Sequence, residues 1–298
     1  MNNPAILFTQ QPYFIDIQFE GTTSSSFGFS YYGTGVTDQK MKGIDGYILN
    51  YSLANGLDFT VSGTSGLAIN YSIPQTGKCR VYFKEGMSRV YSIKIVKTTG
   101  ASGNRTNVFK IDNIEQFFKP FKNLYSLDIN VYASGDNALK PTFSGNISKL
   151  PKSIERIRFS ISDFKDGLFM NLDDFTNEHQ LRWFYWLGTY AVTGSNLNLF
   201  GNLKFLPPLL SYFDVRKVLS TAIITYSGGK EFPSSFEKFY LNHNLATSDL
   251  DLLLNDMAAN ITTAIGEKII YLRGTRTSAS DSAVAYLQSL GFTVTITA

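Results

Sequence analysis

Leu124-Tyr125-Ser126-Leu127-Asp128-Ile129 and Ile154-Glu155-Arg156-Ile157-Arg158-Phe159 share one grammar. An apolar residue comes first, a second follows three positions later, and a third follows two after that. The grammar returns in Leu181, Phe184 and Trp186, in Leu210, Phe213 and Val215, and in Phe236, Phe239 and Leu241. Ile270 with Leu272 and Val294 with Ile296 keep only the later pair. The middle positions fall at 127, 157, 184, 213, 239, 270 and 294, so successive copies lie 24 to 31 residues apart. A string this short cannot bury its apolar side alone. Self-similarity at a period of roughly 20–50 residues marks units that stack into a solenoid and share one core. The seven strings are therefore expected to lie side by side as parallel rungs, with Leu127, Ile157 and Phe184 under a common sheet.

Composition agrees with a folded, strand-rich chain. Of 298 residues, 43% are hydrophobic and only 17% charged, which excludes a disordered chain. Phe and Tyr, at 24 and 17, favour strands, and the whole reads as mainly β with some α. A net charge of +3 is too small for a nucleic-acid binder, which concentrates Lys and Arg. The single Cys79 excludes an internal disulfide and a multi-cysteine metal site. Met1-Asn2-Asn3-Pro4 opens no secretory signal, and no stretch has the roughly 20 apolar residues of a membrane helix. No membrane insertion is expected.

Residues 1–105 read differently from the rest. Alternating segments at Tyr13 to Phe19, Tyr47 to Leu53, Leu57 to Val61, Leu67 to Ile73, Cys79 to Phe83 and Val90 to Val96 are separated by Gly- and Ser-rich turns. That pattern predicts an antiparallel β-sandwich for docking or assembly, preceded over residues 1–12 by either an arm that packs on a neighbour or a frayed terminus, and closed by a polar junction at Thr98 to Asn104. Residues 106–298 form the second domain, the solenoid. Ile111, Ile114, Phe117, Phe118 and Phe121 recur at helical spacing and suit a helix capping the first rung. Leu150-Pro151, Leu206-Pro207 and Phe232-Pro233 precede strands, where proline sets extended geometry. A helix capped by Thr247 or Ser248 and a second capped by Ser280 or Asp281 and ended by Gly291 complete the pattern.

The repeats resemble irregular leucine-rich-repeat proteins of Bacteroidota cell surfaces and of their phages, crAss-like phages included. The clearest stretch runs from Leu250 to Ile296: LDLLLNDMAANI, then KIIYLRGTRT, then AVAYLQSLGFTVTI. The resemblance implies an irregular leucine-rich-repeat-like solenoid with a parallel sheet, in a virion structural protein such as a head or tail appendage. It implies other virion proteins as partners, a homo-oligomer, and host attachment through a surface glycan or protein. A Bacteroidota cell-surface adhesin is the alternative setting, and a carbohydrate-binding or carbohydrate-active protein is the alternative class.

Alternate residues of each rung point outward and stack in rows. Counted from the strings, the central outward row is Asp128, Arg158, Tyr185, Asp214, Tyr240, Tyr271 and Thr295. The preceding row is Ser126, Arg156, Trp183, Tyr212, Lys238, Ile269 and Thr293; the following row is Asn130, Ser160, Leu187, Arg216, Asn242, Arg273 and Thr297. From these, Arg156, Arg158, Trp183, Tyr185, Tyr212, Asp214, Arg216, Tyr240, Tyr271 and Arg273 form the candidate binding face. Tyr, Trp and Arg carry most interface energy because they join large area to polar tips. The same residues also stabilise a sheet by cross-strand pairing alone. Leu181 to Leu187 is apolar on both faces, so its outer side needs cover.

No catalytic pattern stands out, and an enzyme is not expected. His179 and His243 lack metal-ligand spacing and read as surface residues. Gly228-Gly229-Lys230 lacks the rest of a phosphate loop and reads as a turn. Asp173-Asp174 and Asp163 with Asp166 read as solvated loop carboxylates rather than a glycosidase pair. No metal or cofactor is expected.

Overall fold

The computed structural model describes residues 13–21, 25–33, 46–50, 58–61, 69–73, 77–83, 90–97, 107–131, 142–161, 167–188, 197–219 and 221–298. Side chains are described for Ile93 and for residues 111–129, 143–160, 167–187, 197–219 and 221–298. The arm at 1–12, the junction at 98–104, the carboxylates Asp163 and Asp166, and the Cys79 and Asn130 side chains lie outside that description.

Eight strands precede the repeats: β1 (Tyr13–Gly21), β2 (Ser25–Gly33), β3 (Gly46–Asn50), β4 (Asp58–Val61), β5 (Ile69–Ile73), β6 (Gly77–Phe83), β7 (Val90–Lys97) and β8 (Asn107–Ile111). After helix α1 (Ile114–Phe118) come β9 (Ser126–Val131), β10 (Thr142–Phe143), β11 (Gly145–Asn146), β12 (Arg156–Ile161), β13 (Leu168–Asn171) and β14 (Trp183–Gly188). Next follow β15 (Asn198–Asn202), β16 (Tyr212–Val215), β17 (Ile224–Thr225) and β18 (Ser235–Leu245). Helix α2 (Thr247–Asn260), β19 (Thr263–Gly274), α3 (Asp281–Ser289) and β20 (Thr293–Thr297) close the chain.

The strings stack in chain order. β9, β12, β14, β16, β18, β19 and β20 pair in parallel, neighbour to neighbour. Leu127 faces Ile157, which faces Phe184, then Phe213, Phe239 and Ile270, all buried. On the far side of the core, β11, β13, β15 and β17 form a second parallel sheet. Phe184 stacks on Phe213 at 5.8 Å and Phe213 on Phe239 at 5.2 Å, so the aromatic strings build a continuous spine between the sheets.

Among strands with described side chains the sheets are parallel only, one of seven strands and one of four, and no antiparallel β-sandwich is found there. This corrects the fold expected for the N-terminus. Alternation identified strands in that region but not their partners. β7 continues the parallel ladder onto β9, with Ile93 opposite Leu127, because a buried Ile93 extends the same apolar row. β2 and β5 then add antiparallel beyond β7, in the same ten-stranded sheet. β1, β3, β4, β6 and β8 share a sheet with β10, which pairs in parallel with β8.

Three of the returns across the molecule share one device. Asn146, Asn171 and Asn202 each accept a hydrogen bond from the backbone N–H two residues on, starting a short 3-10 turn at Ile147–Lys149, Leu172–Asp174 and Leu203–Phe205. These side chains also tie rungs together: Asn171 N donates to Asn146 Oδ1 at 3.3 Å, and Asn146 Nδ2 donates to Asp174 Oδ2 at 2.6 Å. Asp173 Oδ1 accepts from Asn202 N at 2.8 Å. Asp173 is exposed and Asp174 half-buried, and both also take part in the turn ladder.

The helices differ in detail from expectation. α1 is one short turn over Ile114–Phe118, capped by Asn113, while Ile111 ends β8. α2 begins at Thr247 behind Ala246 without a side-chain cap. The Ser280 hydroxyl turns to Asp251 Oδ1 at 2.6 Å instead of capping α3. Gly291 takes a φ of 93°; its N–H bonds to Gln288 O and that of Phe292 to Leu287 O, the double closure that only a left-handed residue permits.

Candidate recognition surface

The central outward row is one ladder in the structure: Asp128, Arg158, Tyr185, Asp214, Tyr240, Tyr271 and Thr295 are successive partners. The preceding row, Ser126, Arg156, Trp183, Tyr212, Lys238, Ile269 and Thr293, is equally continuous. The following row breaks at an irregularity between Leu241 and Asn244, so Arg273 faces Asn244 and not Asn242. Arg273 therefore joins the face from a shifted position, while Arg216 folds inward.

Rings and cations alternate along these rows. The Arg156 guanidinium lies 5.2 Å from the Trp183 ring, Trp183 stacks on Tyr212 at 4.6 Å, and Lys238 Nζ lies 5.3 Å from the Tyr212 ring. Arg158 lies 5.6 Å from Tyr185, and Arg216 5.3 Å from Tyr240. Tyr240 and Tyr271 stack face to face at 4.2 Å with 7° between planes. A cation over a ring is attracted to its quadrupole, by roughly 0.5–1 kcal/mol at exposed sites. The cover that Leu181 to Leu187 needs comes from these neighbours, which leave Trp183, Tyr185 and Leu187 half-buried.

The floor of the face is a charge cluster. Asp214 and Lys238 are 0% and 1% exposed, with Lys238 Nζ 2.7 Å from Asp214 Oδ2. Arg216 holds the same carboxylate through Nε at 3.0 Å and Nη2 at 3.1 Å. Glu267 Oε2 lies 2.6 Å from Lys238 Nζ, and Tyr212 OH donates to Glu267 Oε1 at 3.1 Å. Two cations and two carboxylates neutralise one another, so burial is tolerated. Burial, with Asp214 and Glu267 beside it, pushes the Tyr212 phenol well above its usual range, while the hydrogen bond from Lys238 holds the Glu267 carboxyl below the usual carboxylate range. Burial also raises Tyr185. Tyr212 and Asp214, expected on the surface, are floor rather than surface.

Glu267 was not legible in the strings. Between Ala264 and Ile269, β19 carries four residues where β18 carries only Glu237. The extra backbone turns through left-handed geometry at Gly266, φ 60°, and Lys268, φ 53°, and this bulge delivers Glu267 to Lys238. A glycine in a β-branched run is the one sequence sign of it. Outside this floor, Arg156, Arg158 and Arg273 are exposed and make no ion pair among the described residues.

The histidines also depart from a surface reading. His179 is 7% exposed, edge-on to Phe175 at 5.2 Å, with Nδ1 accepting from Thr176 N at 3.0 Å. His243 is half-buried, and burial and Arg273 lower its pKa. Among the described residues no three His, Cys, Asp or Glu side chains gather as a metal site, and no helix is long and apolar enough to cross a membrane. Gly228 and Gly229 form a turn at φ 79° and 77°, with Gly229 N donating to Asp256 Oδ2 at 2.7 Å.

The fold is a parallel-sheet solenoid with an aromatic and arginine-lined face. No protein-family model, curated protein or solved structure matches the chain.

Proposed function

We propose that the chain is a non-enzymatic recognition protein whose outward sheet face grips an acidic protein surface. One observation carries this reading: the rings of the face already have neighbours on their flat sides. Trp183 lies between Arg156 and Tyr212, and Tyr240 is stacked on Tyr271. A sugar ring needs an open aromatic face. What this surface offers instead are ring edges, phenol tips and guanidinium groups, the chemistry of protein hot spots. Exposed Arg156, Arg158 and Arg273 favour carboxylates, which a guanidinium fork binds in pairs of hydrogen bonds.

The setting we favour is a bacteriophage particle, in which the chain serves as an oligomeric head or tail appendage and meets a virion or host-envelope protein. The repeat grammar and the resemblance it carries support this. Replacing Trp183 and Tyr185 with Ala, or reversing charge with Arg156→Glu and Arg158→Glu, should reduce particle assembly or attachment at least tenfold while circular dichroism stays unchanged. Unaltered assembly and attachment would remove the face from consideration. Mass spectrometry of purified particles should find the chain; its absence would remove the virion setting and leave the face to be tested on cells.

A further inference from the structure

β20 is the outermost strand of the ten-stranded sheet and, among the described residues, pairs with β19 alone. Alternate residues of a parallel strand turn both backbone groups away from the neighbour, so the far side of Thr293–Thr297 offers N–H and C=O groups to another strand. Edges kept free of partners carry lysine, proline, a bulge or an inward charge. Phe292 to Ala298 holds no charge and no proline, and β20 runs along β19 without irregularity. The 22 residues from Thr277 to Ala298 include one charged side chain, Asp281, which is paired with Arg276. A surface kept in water draws roughly 25–35% of its residues from the charged types. The core is open at the same end. Ile270 and Leu272 are 0% exposed, but Val294 and Ile296, next along the row, are only half-buried. α3 adds half-buried Val284 and Leu290, and Tyr286 at 40% exposed.

The strand is its own complement. Thr293-Val294-Thr295-Ile296-Thr297 alternates threonine with a β-branched apolar residue and reads alike in both directions. Laid antiparallel on a second copy and centred on Thr295, it sets Thr293 opposite Thr297, Val294 opposite Ile296, and Thr295 opposite itself. Facing residues of such a pair point to one side of the sheet, so the apolar pairs close both open cores and the threonines line the outer face. Two uncharged edges meet without like-charge repulsion.

We propose that two copies of the chain join β20 to β20 about a two-fold axis that passes through Thr295 perpendicular to the sheet, merging their ladders into one. The contact gives the oligomer of the preceding reading its interface, and does not depend on what the sheet face binds. The same patch serves both copies, so the assembly closes as a dimer instead of growing. The axis keeps both recognition faces on one side, where they act together on a repeated partner. Five residues span about 17 Å, a contact of the small class below about 1,200 Å², so association belongs in the micromolar range.

Sedimentation velocity of the full chain from about 1 to 500 µM should show a monomer–dimer equilibrium. Thr295 is exposed, and Thr295→Lys sets two ammonium groups across the axis. It should weaken association at least tenfold with an unchanged melting temperature in dilute solution, and mixing it with Thr295→Glu should restore pairing. In a Cys79→Ser background, mild oxidation should link Thr295→Cys between copies, because its Cα meets its own counterpart at about 4.5–5.5 Å. Thr293→Cys, about 14 Å from its counterpart, should stay reduced alone and close when mixed with Thr297→Cys. Trp183→Ala with Tyr185→Ala should associate like the parent, which separates this contact from the role of the sheet face. A chain monomeric throughout that range, association indifferent to Thr295→Lys, or a Thr293→Cys that closes as readily as Thr295→Cys would each overturn the proposal.

Discussion

Lys238→Met removes the cation at the centre of the buried cluster and leaves its shape nearly intact. Lys238 Nζ sits 2.7 Å from Asp214 and 2.6 Å from Glu267, and both Lys238 and Asp214 are shut off from water. Breaking a buried pair by deleting one partner typically costs ~3–5 kcal/mol, because a charge is left uncompensated. Here the loss is smaller. Arg216 keeps its two-point hold on Asp214, and Glu267, 48% exposed, can turn to water. The expected cost is about 2–3 kcal/mol, or a fall of about 4–10 °C in melting temperature for a unit of this size. Thermal and urea melts followed by circular dichroism read it directly. Adding Asp214→Leu to Lys238→Met removes the stranded carboxylate and should recover about half of the loss. The pH dependence gives an independent check. Lys238 holds the Glu267 carboxyl below its ordinary value, so that contribution is complete above the unfolded pKa of about 4.3 and is lost as pH falls through the lower folded value. The gap between parent and Lys238→Met should therefore narrow below about pH 4. A loss under about 1 kcal/mol, or a double variant no more stable than the single, would refute the cluster's role.

Asn146→Ala should cost about 2 kcal/mol, because one buried side chain caps its own turn and bonds the next rung; denaturant melts measure it. Gly266→Ala should destabilise the chain and loosen the bulge that holds Glu267, since a φ of 60° strains any side chain there and the added Cβ would also push the Glu237 side chain aside; the melting temperature should fall and the Lys238→Met effect should shrink in that background. Burial pushes Lys230 down to about 8, with its ammonium donating to Leu206 O at 2.8 Å. Between that value and the ordinary lysine range the unfolded chain binds more protons, so stability should rise with pH there, and the parent should gain on Lys230→Met from about pH 8 to 10. Asp251→Ala should loosen α3, because that carboxylate collects Thr277 N, Thr277 Oγ1 and Ser280 Oγ; amide exchange over 277–290 should accelerate ahead of the rungs.

The rung stack was readable because each string repeats a 3-then-2 spacing that only a shared inner face explains. Leu127, Ile157 and Phe184 needed no structure to be placed on one side. The same spacing fixed both outward rows, since a strand alternates by twos. It could not fix the depth of a residue. Tyr212 and Asp214 were counted as surface, and lie under the Glu267 bulge and the Arg216 side chain instead. Nor could it reach Glu267, which is 55 residues from Tyr212 and depends on an inserted loop that breaks the period. The asparagine ladder was missed for a related reason. Asn146-Ile147, Asn171-Leu172 and Asn202-Leu203 each have a second apolar residue four positions after the asparagine (Leu150, Phe175 and Leu206), but the copies recur at unequal intervals that hide the repeat. At the N-terminus, alternation showed strands and nothing about partners. The parallel pairing of Ile93 with Leu127 comes from a long-range contact no local pattern encodes.

The direct test of the stacked rungs is disulfide trapping in a Cys79→Ser background. Arg158→Cys with Tyr185→Cys, and Asp214→Cys with Tyr240→Cys, place cysteines on facing residues of neighbouring parallel strands. Such partners fall within the roughly 4.4–6.8 Å Cα spacing a disulfide spans. Mild oxidation should close both pairs within one chain, and should leave Arg158→Cys with Phe213→Cys, two rungs apart and on opposite sides of the sheet, open. Failure of the two facing pairs in a folded chain, or equal closure of the third, would contradict the ladder on which the recognition face depends.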